Sequence, residues 1–289
     1  MPSRLGRYVR RRRSRAPRRY ARRTYRRRTT TRFRRRYAKR GMSRRRVLNL
    51  SSTKKRDNMA STVAGANNEN PTVGPFVIGG NINLQMVWCA TARILDDDDH
   101  SRHVRNSTSC YMRGLKEHIT MQTNNSTSWR WRRICFTAKG LYQAKGSNSD
   151  NIFTTNGYGR LMNQHANDTL GNLVNAVLFE GVLNVDFIDV FTAKTSSSRV
   201  KVMYDKTFTI NSSSEGVIRD YKFWFPMNKN LVYDDDEQGK DDSTSGYSTL
   251  GRQGMGDYYV IDYIKANTTA SADDLITITP ATTLYWHEK

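Results

Sequence analysis

The sequence predicts an all-β body behind a disordered basic arm, and three observations carry that expectation. Charge is segregated: of the 48 Lys and Arg among 289 residues, 26 lie in residues 1–56, which hold no Asp or Glu. Residues 57–289 keep the other 22 basic residues against all 26 acidic ones. The body also carries all five Trp and a series of β-branched and aromatic segments with period-two alternation, the pattern of half-buried strands. Polar, turn-rich stretches separate those segments. A uniformly basic globule and a wholly disordered chain are both excluded, and the length of the body suits one large domain.

The first element is the arm. Its first 46 residues hold 22 Arg and 1 Lys with almost no apolar area to offset ordering entropy, so the free arm is expected to be disordered. Its natural counter-surface is a polyphosphate, because each cation that meets a phosphate releases a condensed counterion. Guanidinium grips phosphate with a planar fork and also lies flat on bases. The candidate contacts are Arg10, Arg11, Arg12, Arg13, Arg18, Arg19, Arg22, Arg23, Arg26, Arg27, Arg28, Arg34, Arg35, Arg36, Arg44, Arg45, Arg46, Lys54, Lys55 and Arg56. Tyr8, Tyr20, Tyr25, Phe33 and Tyr37 recur among them and offer stacking surfaces to unpaired bases. Clusters such as Arg10–Arg13 and Lys54–Arg56 also fit nuclear-import signals. Residues 57–80, rich in Ser, Thr, Asn, Gly and Pro, read as a linker into the folded domain at 81–289.

Strands are expected at 82–94, 111–123, 129–138, 182–192, 199–210, 217–225, 257–266 and 274–286. Residues 124–128 read as a hairpin loop and 168–179 as a short helix. Eight antiparallel strands in two facing sheets make a single jelly roll. Within 129–133, alternation places Arg130 and Arg132 on one face and Trp129, Trp131 and Arg133 on the other. One reading gives Arg130 and Arg132 to nucleic acid. The other, preferred, makes a core Trp pair with solvated arginines outside.

Catalytic signatures are lacking. Gly157-Tyr158-Gly159-Arg160 does not end in the Lys-Ser/Thr of a phosphate-binding loop, and there is no GxSxG or HExxH. His100 and His103 beside Asp96–Asp99, and the run Asp234–Glu237 with Asp241 and Asp242, read as solvated loops; a divalent cation stiffening an assembly is the alternative. No enzymatic activity, cofactor or metal is expected. Cys89, Cys110 and Cys135 are odd in number and widely spaced, which argues against a disulfide framework. The longest uncharged stretch, 71–92, is broken by Pro and Gly, so no membrane-spanning helix is expected.

The block CYMRGLKEHITMQTNNSTSWRWRRICFTAKG at 110–140 resembles the capsid proteins of genomoviruses, the gemycircularvirus group, and YDKTFTI at 204–210 fits the same family. FWFPMNKNLVYDDDEQG at 223–239 is similar to part of the related geminivirus coat proteins. The resemblance covers about residues 80–289, while the arm matches in composition. It implies a jelly-roll shell protein that self-assembles as a homo-oligomer into a small icosahedral particle and packages a circular single-stranded DNA genome. It further implies a nuclear phase in the host, with nuclear-import receptors as partners. About 60 copies, the smallest closed icosahedral shell, bring about 1,500 arm charges, enough to balance a genome of roughly 1,500–3,000 nucleotides. The choice of DNA over RNA comes from the resemblance alone, since the arm's electrostatics are blind to the 2′-hydroxyl. A cellular nucleic-acid packager with a basic tail remains the alternative.

Overall fold

The computed structural model describes residues 42–96 and 101–289, and the fold below is that of the body, Arg44–Lys289. After helix α1 (Arg44–Ser51), the strands in chain order are β1 (Thr53–Val63), β2 (Phe76–Gly79), β3 (Leu84–Cys89), β4 (Ser109–Thr123), β5 (Trp129–Ala138) and β6 (Arg160–Met162). Helix α2 (Thr169–Leu178) follows, and then β7 (Lys201–Ile210), β8 (Val217–Val232), β9 (Asp257–Ala266) and β10 (Leu275–Glu288).

The strands form two antiparallel sheets. Sheet one runs β8-β4-β10-β1, with Thr72–Val73 beyond β1, β2 on β10 and the short β6 parallel to β1. Sheet two runs β7-β5-β9-β3. Apolar side chains of both sheets meet between them. One group gathers Met59, Met112, Leu115, Phe225, Leu284 and Trp286 of sheet one with Trp88, Cys135, Tyr258 and Val260 of sheet two. A second joins Ile119, Met121, Ile276 and Ile278 to Met86, Trp129, Trp131, Ile210 and Ile264. Period-two alternation supplies each inner face, as half-buried strands require.

Sheet two is covered on its other side as well. Leu170, Val174 and Leu178, spaced by four residues on α2, pack with Phe179 and Phe191 against Val87, Ile134, Phe136, Ile261 and Tyr263. Asp168 caps this helix by accepting a hydrogen bond from the Gly171 amide at 2.8 Å. The helix expected at 168–179 therefore forms, and it turns sheet two into a middle layer. Strand β9 is buried on both faces, with only Lys265 exposed.

Several stretches depart from the expectations: Arg44–Ser51, in the arm expected to be disordered, forms α1, and Phe76–Gly79, in the expected linker, forms β2. Residues 182–192 form turns instead of a strand. Asp186 accepts from the Val182 amide at 2.7 Å and Asp189 from the Phe191 amide at 3.0 Å, local bonds that compete with a ladder; Asn184 adopts a positive φ of 66°. Conversely, Thr53–Val63, assigned to the end of the arm and the start of the linker, is a strand paired with β10 from Thr53↔Glu288 to Ala60↔Ala281. Its outward positions are polar or small and its inward polar groups are neutralised by distant partners, so its alternation carries little hydropathy signal. Further along the chain, β8 extends past the expected 225 to Val232 through a register shift between Pro226 and Lys229.

Candidate nucleic-acid interface

The expected contacts from Arg10 to Arg36 lie outside the described residues, as do 97–100, which include most of the first acidic run. Arg44, Arg45 and Arg46 open α1, where Arg44 and Arg46 are exposed. Lys54 is exposed on β1 but turns back on α1: its ammonium donates to the Ser52 carbonyl at 2.8 Å and to the Asn49 carbonyl.

Lys55 corrects the sequence reading. Because β1 is a strand, Lys54 and Arg56 face outward and Lys55 faces inward. It is buried, ion-paired with Glu288 at 3.1 Å and bonded to the Val104 carbonyl at 3.0 Å. Lys54–Arg56 is therefore no continuous basic cluster for a polyphosphate or an import receptor.

Arg132 is corrected for a similar reason. Its guanidinium is buried on the covered side of sheet two. It forks onto Asp205 at 2.9 and 2.6 Å, and donates to the Val190 and Ala193 carbonyls. Arg130 stays exposed, pairs with Asp189 at 3.1 Å and lies over the Phe191 ring at 4.5 Å. Trp129 and Trp131 are fully buried between the sheets, as the core reading of that motif expects, but its solvated arginines hold for Arg130 and not for buried Arg132.

Arg133, on the Trp side, belongs to a buried ion network that the sequence did not disclose. Its guanidinium grips Asp262 of β9 with two bonds of 2.7 Å and also reaches Glu117 of β4. Arg160 of β6 bonds Glu117 at 3.1 Å and Asp262 at 3.0 Å, while Thr282 and the Trp131 indole donate to the same carboxylates. All four charged side chains are at most 2 % exposed. Two cations offset two anions, which is what lets such charges stay ionised away from water. Burial works to raise the Asp262 carboxyl, but Arg133 and Arg160 overcome it and hold the group below the ordinary range.

The second acidic run is also partly neutralised. Asp235 accepts a fork from buried Arg105 at 2.5 and 3.0 Å, and Asp236–Gln238 pairs with Asp241–Ser243 in a small hairpin. Among the described residues no group of three or more His, Cys, Asp or Glu is placed to hold a metal ion. The three cysteines are buried and unpaired, and burial pushes the Cys135 thiol up to about 12. Among the described residues no helix is long and apolar enough to cross a membrane.

The outward face of sheet one differs from every surface above. Register aligns four rows across it. The first is Lys54, His287, Tyr111 and Asn230; the second is Arg56, Tyr285, Gly114 and Pro226; the third is Asn58, Thr283, Lys116 and Trp224. A fourth row holds Ala60, Ala281, His118 and Lys222. Among the described residues no carboxylate pairs with Arg56, Lys116 or Lys222, and the one acid on the face, Asp220, accepts from Thr120 at 2.6 Å.

Gly114 shapes the centre of this face. Its φ of +155° lies in the region open to glycine, and a Cβ there would meet the Phe225 carbonyl at 2.5 Å and the Trp224 ring at 2.8 Å. The bare backbone lets the Trp224 ring lie across β4 to meet Tyr285 edge-on, ring centroids 5.8 Å apart. A groove of about 850 Å³ runs alongside, floored by Lys116, His118, Ala281 and Thr283 and walled by Val73–Pro75. Alternation in 111–123 and 274–286 signalled that these residues share faces, but only pairing shows that the faces join.

Comparison with protein-family models and with curated proteins finds no match to this chain.

Proposed function

We propose that this chain is a viral capsid protein that assembles into a small icosahedral shell and packages a circular single-stranded DNA genome through its Arg-rich arm. The observation that carries the reading is the order of the strands. In chain order, β1, β3, β4, β5, β7, β8, β9 and β10 fall in sheets one, two, one, two, two, one, two and one. That interleaving supports a single eight-stranded jelly roll, the architecture of many shell proteins. The segregated cationic arm supports a packaging role, since 26 basic residues without one acid suit a polyphosphate and little else.

Two features of the body favour tiling over catalysis. The space between the sheets is filled by side chains, and its charges neutralise one another. The turn segment that replaces the expected strand exposes Val182, Val185 and Ile188 at 62, 80 and 87 %, apolar surface of the kind buried when subunits meet. In this mechanism the arm condenses DNA by counterion release, which removes the repulsion between arms and lets symmetric contacts close the shell. The resemblance at 110–140 and 204–210 supplies the class of genome, the virion and the host nucleus as locations, and import receptors as partners.

Electron microscopy of the purified full chain tests the reading. Closed particles are expected, with contents digested by a single-strand-specific DNase and resistant to RNase. Persistent monomers at every salt and pH would overturn the shell and return the chain to the cellular packagers. Removing residues 1–46 is expected to leave the β-sheet spectrum intact and to abolish packaging; full-length DNA retained in truncated particles would overturn the role of the arm.

A further inference from the structure

The geometry points to a second nucleic-acid contact on the body itself: the outward face of sheet one binds single-stranded nucleic acid, with bases stacking on Trp224 and Tyr285 and phosphates held by Arg56, Lys116 and Lys222. This rests on the packaging reading and deepens it, because the contact lies on the folded domain and is distinct from the arm.

Several observations converge on this face. Trp224 is 48 % exposed, whereas Trp88, Trp129, Trp131 and Trp286 are at most 1 % exposed. A large ring left in water beside cations that no carboxylate of the described residues neutralises is a poor choice for a solvated sheet and a good one for an unpaired base. The ring is placed, not loose, since it spans the Gly114 gap and rests against Tyr285. Cations flank it on three strands: Arg56 on β1 beside Tyr285, Lys116 on β4 directly opposite Trp224, and Lys222 two residues away on β8. Arg113 adds a fourth charge, its guanidinium oriented by Asn228 at 2.6 Å.

The groove beside the rings gives a strand a path along the sheet. Thr279, Thr283 and Asn58 line it with hydroxyl and amide groups that suit a sugar–phosphate backbone, and the Val73–Pro75 wall limits lateral slip. Lys54 and Arg113 lie close enough to the His287 ring to add to the lowering that burial imposes on it, so two more cations stand at this end of the face. Stacking requires unpaired bases, so the site selects single strands over duplex.

The test uses the full chain and a 12-nucleotide oligothymidylate carrying a fluorescent end label. Label anisotropy reads total binding, arm included, while acrylamide quenching of tryptophan emission reads Trp224, the exposed one of the five. The oligomer is expected to shield Trp224 from acrylamide, and a 12-base-pair duplex is expected to bind by anisotropy without shielding. Trp224→Ala should abolish the shielded signal, and a bromouracil-substituted oligomer should crosslink to peptides containing Trp224 or Tyr285. Lys116→Glu with Lys222→Glu, both on exposed positions that do not threaten folding, should reduce the salt slope of the shielding titration by about 0.7 per lost phosphate contact. Binding by anisotropy with Trp224 fully quenchable and crosslinks confined to residues 1–46 overturns this inference and leaves the arm reading standing. Absence of binding by both measures overturns the two together. Equal shielding by duplex overturns the stacking.

Discussion

Two outward sheet faces carry the same residue types and meet opposite fates. On sheet two, Arg130 and Arg132 stand among Phe179 and Phe191, but α2 and the 182–193 segment bury Arg132, and Asp205 holds its guanidinium while Asp189 pairs with the exposed Arg130. On sheet one, Arg56, Lys116 and Lys222 stand among Trp224 and Tyr285 with the face open. A basic-aromatic run such as WRWRR therefore says little about binding by itself. What decides is whether the chain has supplied carboxylates and cover. A cation given a buried partner is part of the fold, and one left without is available to a ligand.

The contrast can be strained hardest at the network that joins the sheets. Glu117→Gln leaves Arg133 and Arg160 short of one buried counter-charge. It is expected to cost about 3–5 kcal/mol in urea unfolding, with Trp224 shielding by oligothymidylate unchanged in the folded fraction. Wild-type stability in this variant would show that the network is an ornament of the core. Arg132→Ala comes next. It strands Asp205 and frees two carbonyls, a loss of roughly 1.5–3 kcal/mol with nucleic-acid binding unaltered. A clear drop in affinity at constant stability would restore Arg132 as a contact and erase the difference between the faces.

Gly114→Ala acts on the open face. The methyl group collides with the Phe225 carbonyl and the Trp224 ring at a backbone conformation costly for alanine, so a loss of about 1–3 kcal/mol is expected. The displaced ring should also become more accessible to acrylamide. An unchanged quenching constant would show that Trp224 does not depend on the gap.

The smallest effect belongs to His287. Burial, then Lys54 and Arg113, depress its proton affinity, so the folded chain holds that proton less tightly than the unfolded chain. The ring thus contributes stability above its ordinary value of 6.5 that fades as pH falls through that value toward the lower folded one. His287→Gln should flatten this slope in denaturation midpoints taken across pH 5–8, and an unchanged slope would show that folding does not depress the ring.

Much of the strand pattern was legible because burial on one face leaves a period-two record and burial on both leaves a short dense run of apolar and aromatic residues. Trp129–Ala138 and Asp257–Ala266 form over the ranges the alternation indicated, and 168–179 forms its helix with Asp168 as the cap. The failures are instructive in the same terms. In 182–192, apolar residues are dense and alternate over Leu183, Val185 and Phe187, yet Asp186 and Asp189 satisfy nearby amides and leave Val185 and Ile188 in water. In 53–63 only Met59 and Val63 signal core positions by hydropathy, because Lys55 and Asp57 are buried by virtue of Glu288 and Arg93, far away in the chain. Charge pairing across such separations leaves no local trace.

The candidate interface divides along the same line. The one-dimensional order of residues determined the segregation of 26 cations into the first 56 positions, and with it the expectation of a polyphosphate partner, because net charge adds up without regard to folding. It also determined which side chains of each strand share a side. Which strands lie next to one another was decided only in three dimensions: Trp224 meets Tyr285 across a glycine of a third strand, and Arg56 reaches that pair from a fourth. Ladder pairing joins residues separated by more than a hundred positions, so the character of a sheet face is a property of register, which no local window of the chain contains.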